Sequence, residues 1–155
     1  MSKIKISTVT VVGANGAMGS GIAGVFASFG NAKVYLVCRD MEKAEIAREK
    51  ACKSVRTDII KPKLIPADYS MLERCVKESD LVFESTAENM DIKLDVTRQI
   101  ARFVKPETIV CSGTSGLSVT RLAEVLSPEN KEKYFGVHMF NPPYMMSLSE
   151  LIPTK

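Results

Sequence analysis

Short apolar segments rich in β-branched residues alternate along this chain with longer segments in which apolar residues recur at helical spacing. The short segments are typical of buried strands and the longer ones of amphipathic helices. Strands are predicted at 8–12, 33–38, 80–84, 108–111 and 134–137. Helices are predicted at 20–29, 40–55, 71–77, 89–104 and 118–126. Residues 62–66 are predicted to form a loop because Pro62 and Pro66 interrupt them. Alternating strands and helices indicate a parallel sheet with helices on both faces.

A glycine-rich turn follows the first predicted strand. It has the spacing G-x-x-G-x-x-G from Gly13 to Gly19, one residue longer in its first interval than the common dinucleotide-binding pattern. Such glycines allow a tight turn, a close approach of a pyrophosphate and close helix packing, and the phosphates meet free N–H groups at the helix start. The residues predicted to bind a dinucleotide here are Gly13, Asn15, Gly16, Ala17, Met18 and Gly19.

Strand, glycine turn, helix and second strand together have the length of one βαβ unit. The fold class is therefore predicted as α/β: a Rossmann-type, doubly wound, mostly parallel sheet with helices on both faces. A chain of 155 residues is long enough for one such domain and too short for two. Residues 1–155 are predicted to be a single dinucleotide-binding domain.

The one histidine of the chain lies where a proton-transfer group would be useful. His138 ends the predicted strand 134–137, and Glu150 follows twelve residues later. An imidazole has an unperturbed pKa of about 6.5, and a carboxylate at its other nitrogen would fix the tautomer and stabilise the imidazolium. Ligands of doubly wound sheets sit beyond the carboxyl ends of the strands, where the glycine turn, the loop 112–116 and His138 are all expected.

Composition excludes several classes of partner. The hydrophobic share is 45%, the charged share 25% and the net charge +3, which is too small to indicate nucleic-acid binding. No stretch is long and apolar enough to span a bilayer, and residues 1–5 show no leader peptide. No membrane partner and a cytoplasmic location are therefore expected.

The cysteines are scattered and include no C-x-x-C pair, which predicts neither a metal site nor disulfides. They are expected to be buried, reduced side chains: Cys38, Cys52, Cys75 and Cys111.

The segment 42–63 is rich in charge, with seven basic and four acidic residues. A solvated helix with salt bridges is the favoured interpretation. A surface that attracts a polyanionic ligand is the alternative.

Three groups of residues resemble a known family. The most specific group is Gly136-Val137-His138-Met139-Phe140-Asn141-Pro142-Pro143 with Leu148-Ser149-Glu150-Leu151-Ile152. The others are Glu84-Ser85-Thr86-Ala87-Glu88-Asn89 with Lys93, and Ser112-Gly113-Thr114-Ser115. Together they resemble the N-terminal, NAD-binding domain of the 3-hydroxyacyl-CoA dehydrogenases, and the resemblance extends from Thr8 to Pro153.

The resemblance implies an NAD-dependent oxidoreductase of fatty-acid or butanoate metabolism, which interconverts a 3-hydroxyacyl-CoA and the 3-ketoacyl-CoA. In this family His138 would take the hydroxyl proton, Glu150 would orient it, and Ser115 would hold the substrate oxygen. Residues assigned to the cofactor by the same resemblance are Glu88, Lys93, Ser112 and Asn141. The acyl-CoA is the expected small-molecule partner.

The chain departs from the family at two positions within its fold. An aspartate usually ends the second strand and binds the adenosine ribose, but Cys38, Arg39 and Asp40 stand there. These three are predicted to contact the cofactor. Losing the acid and gaining an arginine is the change expected for binding a 2′-phosphate, so both NAD and NADP stay open as the cofactor. Gly113 replaces a usual asparagine, which predicts a less constrained loop.

A third departure is that the chain stops at Lys155. The family continues into a helical domain that closes the acyl pocket and forms the dimer. A domain of a longer protein and a naturally short product both stay open. A homodimer is expected only with that second domain, on which acyl-chain length also depends.

Two other functions stay open. One is a dinucleotide-binding module without chemistry, such as a redox sensor. The other is an NADP-dependent dehydrogenase of the 6-phosphogluconate or 3-hydroxyisobutyrate type, which uses a lysine base on a later helix. The pair of His138 and Glu150 argues against both, because a sensor needs no base and the second group uses a different one.

Overall fold

The sheet of this protein has seven strands in the order β3-β2-β1-β4-β5-β6-β7. A computed structural model describes residues 5–154. Residues 1–4 and Lys155 lie outside this range. The prediction that residues 1–5 show no leader peptide therefore falls almost entirely outside the described residues. The strands are β1 (Thr8–Val12), β2 (Lys33–Cys38), β3 (Leu64–Asp68), β4 (Leu81–Glu84), β5 (Ile109–Ser112), β6 (Tyr134–Met139) and β7 (Ser149–Pro153). The helices are α1 (Ala17–Ser28), α2 (Met41–Val55), α3 (Leu72–Glu78), α4 (Met90–Ala101), α5 (Val119–Ala123) and α6 (Pro128–Lys131). Two short 3₁₀ turns, Lys61–Lys63 and Tyr69–Met71, flank β3.

The first six strands are parallel, and β7 pairs antiparallel with β6. Strand β1 lies between β2 and β4, so the order of the chain through the sheet reverses at β1. In doubly wound sheets a crevice opens at this reversal, beyond the carboxyl ends of the strands. The predicted Rossmann-type fold is confirmed, and it places the glycine turn at the crevice.

Each face of the sheet is covered by its own helices because alternate strand residues point to opposite sides. Val9 and Val11 pack on one face against apolar residues of α1 and α2. Val12 and Val37 pack on the other face against α3, α4 and α5. Strands buried on both sides need continuous apolar sequence, which is why the β-branched runs were informative.

The proline-containing segment is a strand, so the loop predicted at 62–66 is wrong over its second half. Pro66 pairs with Leu36 of β2 inside β3. Strand β3 is the outer strand of the sheet at this side. Proline has no N–H to donate, and an edge strand has one side on which no donor is needed.

The charged segment forms the solvated helix that the sequence favours. Helix α2 buries Ala44, Ala47, Ala51 and Cys52 and leaves most of its charged residues outside. Its ion pairs include Arg48 with Glu45 at 2.5 Å and Glu49 with Lys61 at 2.6 Å.

The cysteines are buried and free, as predicted. Burial raises the pKa of the Cys75 thiol to about 11. No helix between residues 5 and 154 is long and apolar enough to cross a membrane.

Candidate active site

The glycine turn holds β1 and α1 together by contacts that no larger residue would allow. Gly13 has φ +82°, and a Cβ there would lie 2.6 Å from the carbonyl oxygen of Ser85 at the end of β4. Its N–H donates to the carbonyl of Val37 in β2 at 2.9 Å. A Cβ at Gly19 would lie 2.5 Å from the carbonyl oxygen of Gly13. These two glycines are explained by protein packing alone.

Gly16 has no such explanation within the protein. A Cβ there would meet only the carbonyl oxygen of Gly13, at an ordinary 3.7 Å. Gly16 is also the N-cap of α1, and no side chain caps this helix start. The first N–H groups of a helix have no partner within it, and they favour an anion. The first amides of α1, including those of Ala17 and Met18, are therefore available to an anion; that a phosphate binds them stays a prediction.

A cavity of about 310 Å³ opens beside this turn. The turn, the end of β2, the start of α2 and the segment after β4 all contribute to it. It is lined by Gly13, Asn15, Gly16, Cys38, Arg39, Lys43, Tyr69, Ser85, Thr86 and Ala87. We call it the cofactor cavity. Its position at the reversal of strand order is the one that this fold uses for dinucleotides.

Three residues at the end of β2 were predicted to contact the cofactor. Two of them line the cavity, and the third does not. Cys38 and Arg39 are lining residues. Asp40 caps α2 instead: its carboxylate accepts from the Lys43 N–H at 2.8 Å and pairs with the Lys43 ammonium. The hydrogen bonds from Lys43 lower the pKa of Asp40. Asp40 is therefore already engaged by the protein.

A buried polar cluster lies directly behind the crevice. The carboxylate of Glu84 accepts two hydrogen bonds from Lys93 at 3.0 Å and one from the Ser112 hydroxyl at 2.6 Å. It also accepts from the N–H of Thr86 at 2.6 Å. The three residues Glu84, Lys93 and Ser112 are at most 1% exposed. This cluster ties β4, β5 and α4 together at the carboxyl edge of the sheet.

Lys93 and Ser112, both predicted cofactor contacts, are engaged by protein groups in this arrangement. An ammonium has three N–H donors. Lys93 directs them at both oxygens of Glu84 and at the carbonyl of Thr86, 3.2 Å away. A direct bond from Lys93 to a cofactor hydroxyl would require one of these to break. Contact of Lys93 and Ser112 with the cofactor stays a prediction.

The loop after β5 is held by Glu88. Its Oε1 accepts from the Thr114 hydroxyl at 2.6 Å, the Ser115 N–H at 2.9 Å and the Gly116 N–H at 3.1 Å. Burial raises the pKa of Glu88, but these hydrogen bonds outweigh it, and the pKa is lowered overall. Glu88 is therefore ionised and fixes the backbone around Ser115.

The expectation that Gly113 loosens this loop is wrong. A Cβ at Gly113 would lie 2.9 Å from the ring of Phe83, and its N–H donates to the Glu84 carbonyl at 2.8 Å. The glycine is packed against the end of β4 instead of leaving space. Together with Glu88, this contact makes the loop well constrained.

His138 and Glu150 are brought together by strand pairing. They face each other in the register of β6 and β7, and His138 Nδ1 lies 2.7 Å from Glu150 Oε2. Directly opposed residues of an antiparallel pair project from the same face, so this register alone places the two side chains in contact. The His138 side chain is 23% exposed and its ring lies 4.8 Å from that of Phe140. The histidine is thus oriented on two sides and remains accessible.

The model of one protein family matches residues 8–155: "3-hydroxyacyl-CoA dehydrogenase, NAD binding domain". This match covers nearly the whole chain, including every element that forms the site. The chain belongs to this family. A domain that binds NAD agrees with the free amides of α1 and with the cofactor cavity at the point where the strand order reverses.

Individual relatives agree with the family. The chain is 36% identical to a probable 3-hydroxyacyl-CoA dehydrogenase of Caenorhabditis elegans, over 96% of this chain and 52% of that protein. It is 32% identical to 3-hydroxybutyryl-CoA dehydrogenase of Clostridioides difficile, over 93% and 53%. The crystal structure of (S)-3-hydroxybutyryl-CoA dehydrogenase from Ralstonia eutropha superposes with a TM-score of 0.84 at 31% identity, covering 96% of this chain and 54% of that one. The chain therefore spans about half the length of these dehydrogenases.

Several residues of the cavity are absent from the sequence predictions. Ser85, Thr86 and Ala87 follow β4, which neighbours β1 at the strand reversal, so the rule for doubly wound sheets could have found them. Tyr69 carries no such signal, because it follows the strand that the prolines concealed. Lys43 appears in the sequence predictions only as part of the charged segment for which a polyanionic ligand was the alternative. Asn141, predicted to contact the cofactor, is exposed in the segment between β6 and β7 and does not line this cavity.

Proposed function

We propose that this chain is the cofactor-binding and proton-transfer half of a 3-hydroxyacyl-CoA dehydrogenase. The reaction is the reversible oxidation of a 3-hydroxyacyl-CoA to the 3-ketoacyl-CoA with NAD. The contact between His138 and Glu150 is the observation that carries this proposal. It supplies a base with an orienting carboxylate at the same edge of the sheet as the glycine turn.

The base acts on the hydroxyl of the substrate. A hydride leaves an alcohol carbon readily only if the hydroxyl proton leaves as well, and the nicotinamide supplies the hydride acceptor when NAD is bound. With Nδ1 directed at Glu150, Nε2 of His138 is left to take that proton. Glu150 then stabilises the imidazolium that forms. The reverse reaction returns the proton from Nε2 to the ketone oxygen.

Ser115 would hold the substrate oxygen. Its N–H is fixed by Glu88, and its side-chain hydroxyl makes no hydrogen bond within residues 5–154. A hydroxyl can donate and accept at once, so it can bind both the alcohol and the ketone. Glu88 has a second role in this proposal, because it determines where the Ser115 hydroxyl lies.

The dinucleotide would be held along the whole crevice. The turn residues Gly13, Asn15, Gly16, Ala17, Met18 and Gly19 would bind the pyrophosphate. Cys38 and Arg39 would lie beside the adenosine ribose, whereas Asp40 caps α2 and does not line the cavity. The nicotinamide half would lie towards Glu88, Lys93, Ser112 and Asn141. Proximity and orientation of this kind are the main contribution of a protein to cofactor chemistry.

The remaining parts of the proposal concern the whole protein. A helical domain would close the acyl pocket and form a homodimer, in keeping with relatives about twice as long as this chain. The buried thiols suit a reducing compartment such as the cytoplasm. The match to the 3-hydroxyacyl-CoA dehydrogenase model argues against the 6-phosphogluconate and 3-hydroxyisobutyrate types.

Replacement of the base tests the proposal in the enzyme that joins this chain to its helical domain. His138→Gln should lower kcat/KM for 3-hydroxybutyryl-CoA by about 10²–10⁴-fold, the usual contribution of a general base. The dissociation constant of NAD should stay within about twofold, because the base acts in the transition state.

Glu129→Gln, an exposed change on α6, is the matched control and should leave both quantities unchanged. A His138→Gln enzyme with most of its activity would show that the base is elsewhere. Absence of turnover in the unmodified enzyme, with NAD still bound, would instead favour a binding module without chemistry.

A further inference from the structure

The adenosine end of the cofactor cavity carries positive charge and no acid. Its lining includes Arg39 and Lys43, and no carboxylate is among the lining residues. The residue that ends β2 is Cys38, at the position where an acid binds the ribose hydroxyls in NAD-specific sites of this fold. An acid there also repels a 2′-phosphate. Among residues 5–154 no carboxylate lines this cavity, and Asp40, next to Arg39 in sequence, is paired with Lys43.

Cys38 is neutral at this position. Its side chain is buried, and burial raises the pKa of the thiol. A neutral thiol at the strand end neither binds the two ribose hydroxyls as a carboxylate would nor repels an anion. The strand end is therefore permissive towards a phosphorylated ribose.

Arg39 is the charged group left unused at this edge. It is exposed, and within residues 5–154 its guanidinium makes no hydrogen bond and no ion pair. Lys43, by contrast, is paired with Asp40, which neutralises the nearest carboxylate. A guanidinium can bind a phosphate through two parallel hydrogen bonds. The geometry leaves Arg39 free to do so at the mouth of the cavity.

We propose that the adenosine end of this cavity accepts a 2′-phosphate and that Arg39 binds it, so that NADP binds more tightly than NAD. The inference rests on the proposed function, since it presupposes a dinucleotide in the cavity. The family model is described as an NAD-binding domain. The inference adds NADP as a second cofactor and Arg39 as the residue that determines the preference between the two.

Titration calorimetry on the 155-residue chain tests the inference with two pairs of ligands. NAD and NADP differ only in the 2′-phosphate, as do 5′-AMP and adenosine 2′,5′-bisphosphate. At about 50 mM salt we expect the phosphorylated member of each pair to bind about threefold to tenfold more tightly. The ratio should fall at about 300 mM salt, because an exposed ion pair is screened.

Arg39→Gln should reduce that ratio to about one, through a larger loss of affinity for NADP than for NAD. Lys53→Gln is the matched control: it removes the same charge from the exposed side of α2, away from the cofactor cavity, and should leave the ratio intact. Cys38→Asp should make NAD bind more tightly than NADP. Thermal melting of each variant verifies that the fold is retained.

Three outcomes would overturn the inference in different ways. Equal affinities of NAD and NADP for the unmodified chain would refute it while leaving the proposed function standing. An equal effect of Arg39→Gln and Lys53→Gln would show that general charge, not Arg39, is responsible. Failure of every ligand to bind at millimolar concentration would refute the cofactor site itself and the inference with it.

Discussion

Glu150 is the one charged side chain that pairs with the His138 ring within residues 5–154. Phe140 restrains the ring but offers no charge. The two residues can therefore be separated by substitution more cleanly than is usual in a proton-transfer site. One replacement removes the base, and the other removes only its partner.

Glu150→Gln should lower turnover less than His138→Gln, by about 10–10²-fold, because the base is retained while the stabilisation of the imidazolium is lost. Steady-state kinetics on the enzyme with its proposed helical domain would measure both variants. A loss for Glu150→Gln as large as that for His138→Gln, or no loss at all, would contradict this role of Glu150.

A second residue-scale effect lies at the other end of the molecule. Glu78 accepts hydrogen bonds from the Tyr35 hydroxyl, from Arg74 at 2.9 Å and from Lys33 at 3.1 Å. These bonds lower the pKa of Glu78 from 4.5 to about 2. A carboxyl with a depressed pKa in the folded state stabilises the fold fully above its unfolded pKa, and the contribution is lost as pH falls towards the folded value.

Glu78→Gln should therefore lower the urea midpoint at pH 7, and the difference from the unmodified chain should shrink between pH 4.5 and pH 2. Glu73→Gln is the control, because within residues 5–154 Glu73 makes one exposed ion pair, with Lys77 on the same helix. Its effect on the midpoint should be smaller at pH 7. A Glu78→Gln difference that persists unchanged at pH 2 would contradict the assignment.

At the scale of elements, the buried pair of Glu84 and Lys93 joins β4 to α4 beneath the crevice. Breaking a buried pair by removing one partner costs about 3–5 kcal/mol, because the other charge is left without compensation. Lys93→Met should therefore lower the free energy of unfolding by about that amount. Removing both charges with Glu84→Gln and Lys93→Met should cost less than Lys93→Met alone. Urea unfolding of the unmodified chain, the two single variants and the double variant would measure the coupling.

The elements also show what sequence patterns can and cannot predict. The strands buried on both faces were predictable from their apolar runs, and the glycine turn from its spacing. Strand β3 was not predictable in this way, because Pro66 weakens the strand signal. A proline is tolerated there only because β3 lies at the edge of the sheet. The pairing of His138 with Glu150 was expected from family resemblance. Its physical cause, the antiparallel register of β6 and β7, depends on contacts distant in sequence.

At the scale of the whole molecule, the two halves of the proposed reaction differ in how complete they are within this chain. The cofactor cavity is formed entirely by residues between Gly13 and Ala87. The surroundings of His138 are open by comparison. Apolar side chains of the neighbouring segment are strongly exposed, with Met145 at 71%, Leu148 at 60% and Leu151 at 68%. Side chains this exposed leave the surroundings of His138 open to solvent within residues 5–154.

The 155-residue chain alone should therefore bind NAD or NADP yet oxidise 3-hydroxybutyryl-CoA with little or no turnover. Catalysis depends on holding the hydroxyl within reach of the base, and a misplacement of about 1 Å can cost about 10²-fold in rate. Calorimetry would establish cofactor binding, and NADH absorbance would follow oxidation in the same preparation. His138→Gln in the isolated chain serves as the blank, since any rate above it reflects the proposed chemistry. A robust rate that this substitution abolishes would show that residues 1–155 already form a substrate pocket, and that the exposed apolar side chains beside His138 are its wall.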